Sequence, residues 1–363
     1  MLQKNKVAVI SSGNGGQAMS AYFAYKGYEV ALYVRERARV EMFPTNLFHL
    51  TGVVDVEAPV ALISCDMRTV VRNAQLIMVT TPSQYHHIIA AEMAPYLQDG
   101  QIILLNPGRT FGTCEFQRVL QGCGCVKKVI VAEAETFIFT CRCPEVGKPV
   151  IYKIKDHMKI AAHDSSQTEE VLEALSPVFP TVTSAKDILE TGFGNMGMIF
   201  HPLPVLMNLT RIERQERFLY YQNAISPLVA GMLERMDAER MSVAQALGVQ
   251  TLPVLEWLRD KYGSTGKNLY ECLQNTDAYR EVYTPSDINT RYVFEDVPTG
   301  CVPMVAIARH LGIDLPITRA VVSWASAIYD RDFYNEGRNE TKVDFEALTG
   351  RKRASTLSSS AAI

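Results

Sequence analysis

The sequence predicts an α/β domain with a mostly parallel sheet and antiparallel closing strands, followed by an all-helical domain. Three observations predict it. A strand, glycine turn, helix and second strand fill residues 6–39. Strand-like runs in the first half end in polar loops that gather at one edge, at Gly13, Thr80, Asn106 and Glu133. Beyond residue 187 strand signals nearly vanish and helical periodicity takes over.

The first unit reads KVAVISS, then GNGGQA, then a helical run to Gly27, then YEVALYVRERAR. That length suits a βαβ unit. Its turn fits Gly13-x-Gly15-x-x-Ala18. Gly13 is expected to allow the tight turn, Gly15 to let a pyrophosphate approach the backbone, and Ala18 to let helix pack on strand. The N–H groups and positive dipole of the helix start would face phosphates, so Gly13, Asn14, Gly15, Gly16, Gln17 and Ala18 are the expected cofactor turn. Strand before, helix after and second strand on time make this a Rossmann-type dinucleotide site. The second strand ends Val34-Arg35-Glu36-Arg37, with Arg39 close behind. A carboxylate for the ribose 2′-OH is missing at Val34. Arg35 and Arg37 suit a 2′-phosphate, which favours NADP over NAD. The other reading is that these arginines open a solvated helix and Glu36 takes the sugar.

Further along, residues 53–63 suggest one or two short strands and 67–74 a short helix. The apolar run 75–79 reads as a buried parallel strand, whose following Thr80, Thr81 and Pro82 should border the cofactor. Residues 83–97 read as helix, 101–105 as strand, 116–120 as helix and 128–132 as strand. Residues 150–155 and 158–162 are expected to form an antiparallel hairpin across Asp156-His157, before a helix at 168–175. The expected domains are 1–187, dinucleotide-binding, and 188–350, helical, with a flexible tail at 351–363. Helices are expected at 188–208, 227–236, 238–247, 253–261, 302–311 and 317–329. Ser226-Pro227 is a good helix start, and Gly248 and Gly312 are good stops.

The 363 residues carry 47% hydrophobic and 21% charged side chains and a net charge of -3. This balance argues against nucleic acid as a partner. No apolar run reaches the ~18 residues of a membrane helix. Strand one follows MLQKNK directly, so no signal peptide is expected. The eight cysteines form no CxxC pair, and reduced thiols in the cytoplasm are expected. The seven histidines include no HExxH, and no metal site is expected. A homodimer is compatible with this composition.

For proton transfer the best candidate in the helical half is His201, within GFGNMGMIFHPLPVLMN. Pro202 and Pro204 bend or interrupt the helix beside it, and imidazole titrates near neutral pH. The plainer reading is a core histidine bonded to a backbone carbonyl. A second cluster, NTRYVFEDVP at 289–298, holds Arg291, suited to a substrate carboxylate, and Asp296, suited to orient His201 and raise its pKa. The plainer readings are a surface ion pair for Arg291 and a helix cap for Asp296.

The motifs GNGGQA at 13–18, NPG at 106–108, FTCR at 139–142, NMGMIFHPLP at 195–204, DAER at 237–240 and NTRYVFEDVPTG at 289–300 resemble those of the opine dehydrogenases of the NAD/NADP octopine and nopaline type. The resemblance implies a reductive condensation of an amino acid with a 2-keto acid such as pyruvate, through an imine. It implies acid–base work for His201 with Asp296 as its partner, and a substrate carboxylate on Arg291. Asn195 would polarise the carbonyl, and Thr136 and Cys141 would line the keto-acid pocket. Arg109 stands where some relatives differ and would hold a second carboxylate. Two other functions stay open: reduction of a keto acid without an amine on the same two-domain plan, and a regulator that senses NADP(H).

Overall fold

In a computed structural model the chain is described from residue 3 to residue 354. It divides into two compact units, the first ending at Gly192 and the second beginning at Phe193.

The strands of the first unit are β1 (Gln3–Ile10), β2 (Glu29–Tyr33), β3 (Leu47–Gly52), β4 (Val56–Pro59), β5 (Leu62–Ser64), β6 (Ala74–Val79), β7 (Ile102–Leu105), β8 (Ile130–Ala134), β9 (Phe139–Glu145), β10 (Lys148–Ile154), β11 (Lys159–Ala162) and β12 (Thr183–Ser184). Eight form one sheet in the order β12-β11-β8-β7-β6-β1-β2-β5. From β5 to β8 every pairing is parallel, and β11 joins β8 antiparallel. Alternation along each strand builds two cores. Val7, Val9, Met78 and Leu104 face one side, with Phe23 of the helix Asn14–Tyr25. Ala8, Ile10, Ile77 and Ile103 face the other, with Val70, Ile89 and Phe116. Each large apolar side chain so buried contributes roughly 1.5–3 kcal/mol. The register puts Ile10 beside Val79, Val79 beside Leu105 and Leu105 beside Glu133, so four carboxyl ends line up as expected.

The expected hairpin is not there. β10 pairs with β9 and with β3 in a second sheet, ordered β4-β3-β10-β9, whereas β11 pairs with β8 in the main sheet. The turn at Asp156-His157 does form, with His157 at φ 52, but it carries the chain from one sheet to the other. The partners decide this. Ile160, Ala161 and Ala162 are all buried beside β8, and Ile151 is buried with Phe48 and Phe139 over the first helix. β3 lies where no strand is expected, and its burial alternates, with Phe48 and Leu50 buried and Leu47 and Gly52 exposed.

The expected helix over 188–208, which crosses the division after Gly192, is broken into Ile188–Phe193, Gly197–Phe200 and Pro202–Met207. The chain leaves helix at residues 194–196 and again at His201, where Pro202 has no N–H with which to continue the preceding turn. Conversely, the two helices expected over 227–247 are one, Pro227–Leu247. Asp237 does not end it: its carboxylate accepts from the Val254 N–H at 2.7 Å and from Arg240 Nε at 2.8 Å. Ser226 caps this helix by accepting from the Val229 N–H, and Gly248 ends it at φ 70. Of the expected tail, residues 351–354 are described. Arg351 O receives a bond from His310 Nε2 at 2.7 Å, and the Ala354 N–H bonds His310 O at 2.9 Å. Residues 355–363 lie outside the described part.

Two measurements check this packing. A Cβ on Gly16 would come 1.7 Å from Ser11 O, whereas one on Gly231, inside the helix Pro227–Leu247, would meet nothing within 4 Å. Gly16→Ala is therefore expected to lower unfolding free energy by about 1–3 kcal/mol, and Gly231→Ala to raise it by roughly 1 kcal/mol, both read by denaturant titration. Burial pushes the Cys141 thiol up to about 11, while Cys65 and Cys123 are exposed. Since the thiolate is the reactive form, iodoacetamide at pH 8 should label Cys141 at least about tenfold more slowly than those two, by peptide mass spectrometry.

Candidate active site

One candidate region, within the first unit, is the carboxyl edge of the parallel strands. Past Ile10 the chain turns through Ser11, a non-glycine residue at φ 130, and enters the helix Asn14–Tyr25 with no side-chain cap at its start and no acidic residue in its first turn. Gly13 itself is extended, so its expected role in the tight turn passes to Ser11 and Gly16. A side chain at Gly15 would strike the Phe137 ring at 2.7 Å, so this glycine is packed tight against protein. Gln17 is buried and ties the turn down, donating to Ser12 O and accepting from the Gly147 N–H, both at 2.8 Å. Asn14 Oδ1 accepts from the Cys143 N–H at 3.0 Å.

Along the same edge, Thr80 Oγ donates to Ile10 O at 3.2 Å. Thr81 Oγ and Asn106 Nδ2 are buried polar atoms with no protein hydrogen-bond partner. An uncapped helix start with such donors beside it fits the diphosphate of a dinucleotide. Pro82 is exposed on this edge. Arg35 and Arg37 are exposed after β2, within 3.8 Å of Glu36 and Glu41 respectively, at the opening of the short helix Arg37–Val40.

Glu133, the last of the four strand ends, is fully buried. It accepts from the Thr113 N–H at 3.0 Å and the Thr191 hydroxyl at 2.7 Å. A Cβ on Gly108 would lie 2.4 Å from it. It thus pins the loop that carries Arg109, at φ 61, and Phe111, at φ 58. Thr136 Oγ accepts from Lys155 Nζ at 2.9 Å. Cys141 Sγ lies 3.8 Å from Asn14 O, against the glycine turn.

A second candidate region lies in the helical unit. His201 stands between the helices Gly197–Phe200 and Pro202–Met207, where Pro202 cannot continue the first helix. Its Nδ1 is 2.7 Å from Asp296 Oδ2, and Asp296 has no exposed surface. A carboxylate accepts here, so Nδ1 carries the hydrogen and Nε2 is the other, exchangeable position. The Tyr292 ring stacks on the imidazole, centroids 4.0 Å apart and planes 5° apart. Tyr220 donates to the carbonyls of Phe200 at 2.8 Å and His201 at 2.9 Å.

Asp296 precedes a π-helical turn, Val297–Cys301, and Tyr220 opens another, Tyr220–Ala224. Such turns recur at functional sites. Asn195, also buried, has its amide nitrogen 3.2 Å from where a Cβ on Gly300 would be. Arg291 pairs with the buried Glu295 at 3.3 Å while more than half of its side chain stays in solvent. Burial pushes the phenols of Tyr220 and Tyr221 and the Cys301 thiol well above their ordinary values, so these neighbours stay neutral.

Within the second unit the structure thus joins His201 and Asp296 directly, with Arg291 and Asn195 on the segments that carry them. Arg109, Thr136 and Cys141 belong to the first unit. Sequence reasoning passed over Tyr292, Tyr220, Lys155 and the latch made by Gln17. Only Tyr292 left a signal, since it stands four residues before Asp296 and so on the same helical face. Among the described residues, no group of three or more His, Cys, Asp or Glu is placed to hold a metal ion, and no helix is long and apolar enough to cross a membrane.

A family profile described as NAD/NADP octopine/nopaline dehydrogenase, alpha-helical domain, matches residues 184–329. Another, the N-terminus of NAD-dependent glycerol-3-phosphate dehydrogenase, matches residues 6–108. The chain is 34% identical to an opine dehydrogenase of Arthrobacter sp. (strain 1C) over 356 residues, covering 96% of this chain and 98% of that one. It is 23% identical to octopine dehydrogenase of Pecten maximus, covering 97% of this chain and 94% of that one. Among solved structures it is similar to octopine dehydrogenase with NADH and L-arginine, with TM-score 0.82 and 21% identity over 97% of this chain and all of that one. Yersinopine dehydrogenase with NADP+ bound has the same fold, with TM-score 0.72 and 13% identity over 95% of this chain and 96% of that one. The chain belongs to the opine dehydrogenases, oxidoreductases that use NAD or NADP.

Proposed function

We propose that this opine dehydrogenase joins the amino group of an amino acid to a 2-keto acid such as pyruvate, with NADPH preferred to NADH. The observation that supports it most is the 2.7 Å bond between His201 and the wholly buried Asp296. The amine adds to the keto carbon and water leaves, giving an imine. The bound dinucleotide supplies the hydride. Attack on a neutral imine is slow, so a proton must reach the nitrogen as charge moves, and His201 Nε2 is the donor. Asp296 holds the tautomer and balances the imidazolium. Asn195 polarises the carbonyl. Arg291, largely in solvent, and Arg109 answer the two carboxylates of the product with forked donors. Thr136 and Cys141 are assigned to the keto acid.

For the cofactor, Gly13 to Ala18 and Thr80 to Pro82 hold the diphosphate side, and Arg35 with Arg37 the 2′-phosphate. The eight free thiols fit a reducing cytoplasm.

His201→Ala is expected to lower kcat by roughly 10²–10⁴-fold, with NADPH affinity unchanged by fluorescence titration. Asp296→Asn should act the same way. Unaltered turnover in His201→Ala ends the mechanism. NADPH oxidation followed with pyruvate, with and without an amino-acid panel, tests the reaction itself, and turnover that ignores the amine refutes the condensation. Removing both guanidinium groups, Arg35→Ala with Arg37→Ala, should raise KM for NADPH about tenfold or more and leave KM for NADH alone. An equal effect on both cofactors discards the 2′-phosphate assignment.

A further inference from the structure

We infer that Tyr292 is a positioning residue for the proton-transfer step, one that sets the plane of the His201 ring and favours its charged form. The inference rests on the reading of His201 as the acid–base group.

An imidazole on its side chain has two freedoms that matter for aiming Nε2: the tilt of its plane and rotation within that plane. The Asp296 bond at Nδ1 removes the second. The flat contact with Tyr292, at 4.0 Å and 5°, removes the first. Tyr292 is itself held, with the Tyr220 ring 5.2 Å away at 64°. The same Tyr220 bonds the His201 carbonyl, so one phenol steadies both the backbone of the histidine and the ring lying on its side chain. Tyr292 and Asp296 are four residues apart, and one short segment therefore delivers both constraints. A ring face is electron-rich and attracts a cation above it.

Among the described residues, the charged or titratable groups placed near this imidazole include Asp296, Arg291 with Glu295, Tyr220 and Cys301. Asp296 favours the cation directly. Arg291, whose guanidinium is 5.5 Å from the Tyr292 ring, opposes it but is offset by Glu295. Tyr220 and Cys301 stay neutral beside Asp296. Stacking thus raises the pKa of His201, and its loss lowers it. In the reductive direction the protonated imidazole is the active form, so activity falls as pH rises through that pKa.

The test compares Tyr292→Phe, which keeps the stack, with Tyr292→Leu, which removes it. Tyr292→Met replaces the leucine variant if that one does not fold. Amine-dependent NADPH oxidation is followed from pH 5 to 10. The non-aromatic variant is expected to lose roughly tenfold in kcat and to shift its alkaline limb down by about 0.5–1 pH unit. The phenylalanine variant should keep the wild-type limb, and KM for NADPH should be unchanged in both. An unshifted limb in the non-aromatic variant overturns the inference, as does an equal shift in the phenylalanine variant. If His201→Ala is inactive in the same assay, that failure belongs to Tyr292 alone. If His201→Ala keeps its turnover, the reading of His201 falls instead.

Discussion

A carboxylate with no exposed surface needs a partner, and in the helical unit Asp296 finds it in His201. Left unpaired, such a charge is among the most costly groups a protein can bury. The local architecture is arranged around meeting that need. The helix breaks at Pro202, which leaves His201 at a junction rather than within a regular turn. The chain after Asp296 widens into a π-turn, where Thr299 Oγ returns a bond to Glu295 O at 2.7 Å. Gly300 has no side chain, which makes room for Asn195. Aromatic rings then close the surroundings, and a bond in a dry setting is stronger than the same bond in water.

The first unit carries a different constraint, a glycine turn backed by protein on the far side, where the diphosphate is proposed to bind. Ser11 adopts the unusual backbone, Gly16 lies against the Ser11 carbonyl, and Gly15 lies under Phe137. The second sheet holds this turn from above through Cys143 and Gly147. Glu133 plays the matching part at the other end of the strand row, where one buried carboxylate joins the start of the helix Gly112–Gly122 to Thr191. Both units therefore rely on a buried carboxylate whose partners come from distant parts of the chain.

Much of this was legible in the sequence, and the reason is that the signals are local. Glycine turns, apolar runs of four to six residues, a Ser-Pro start and glycine stops each depend on a few neighbouring residues. The expected hairpin failed because alternation identifies a strand without identifying its partner. The single run over 188–208 failed because helical periodicity is interrupted after Phe193 and again before Pro202, which cannot continue the helix preceding it. The split near Asp237 failed because an acidic residue between two helical runs can equally be buried in the middle of one helix.

By itself, the sequence determined the parallel strands β1, β2, β6, β7 and β8, the glycine turn after the first of them and most helices of the second half, and it offered residue types able to move a proton and hold carboxylates, while β3, β9 and β12 escaped it. Tertiary structure alone decided that His201 and Asp296, separated by 95 positions, share a bond, that Tyr292 lies flat on the imidazole, and that β10 and β11 enter different sheets. The physical reason is range. Backbone preference and periodicity act over a turn or two of chain, whereas the pairing of a buried charge, the stacking of rings and the choice of a strand's neighbour are settled by whichever distant segments can fill the same dry space.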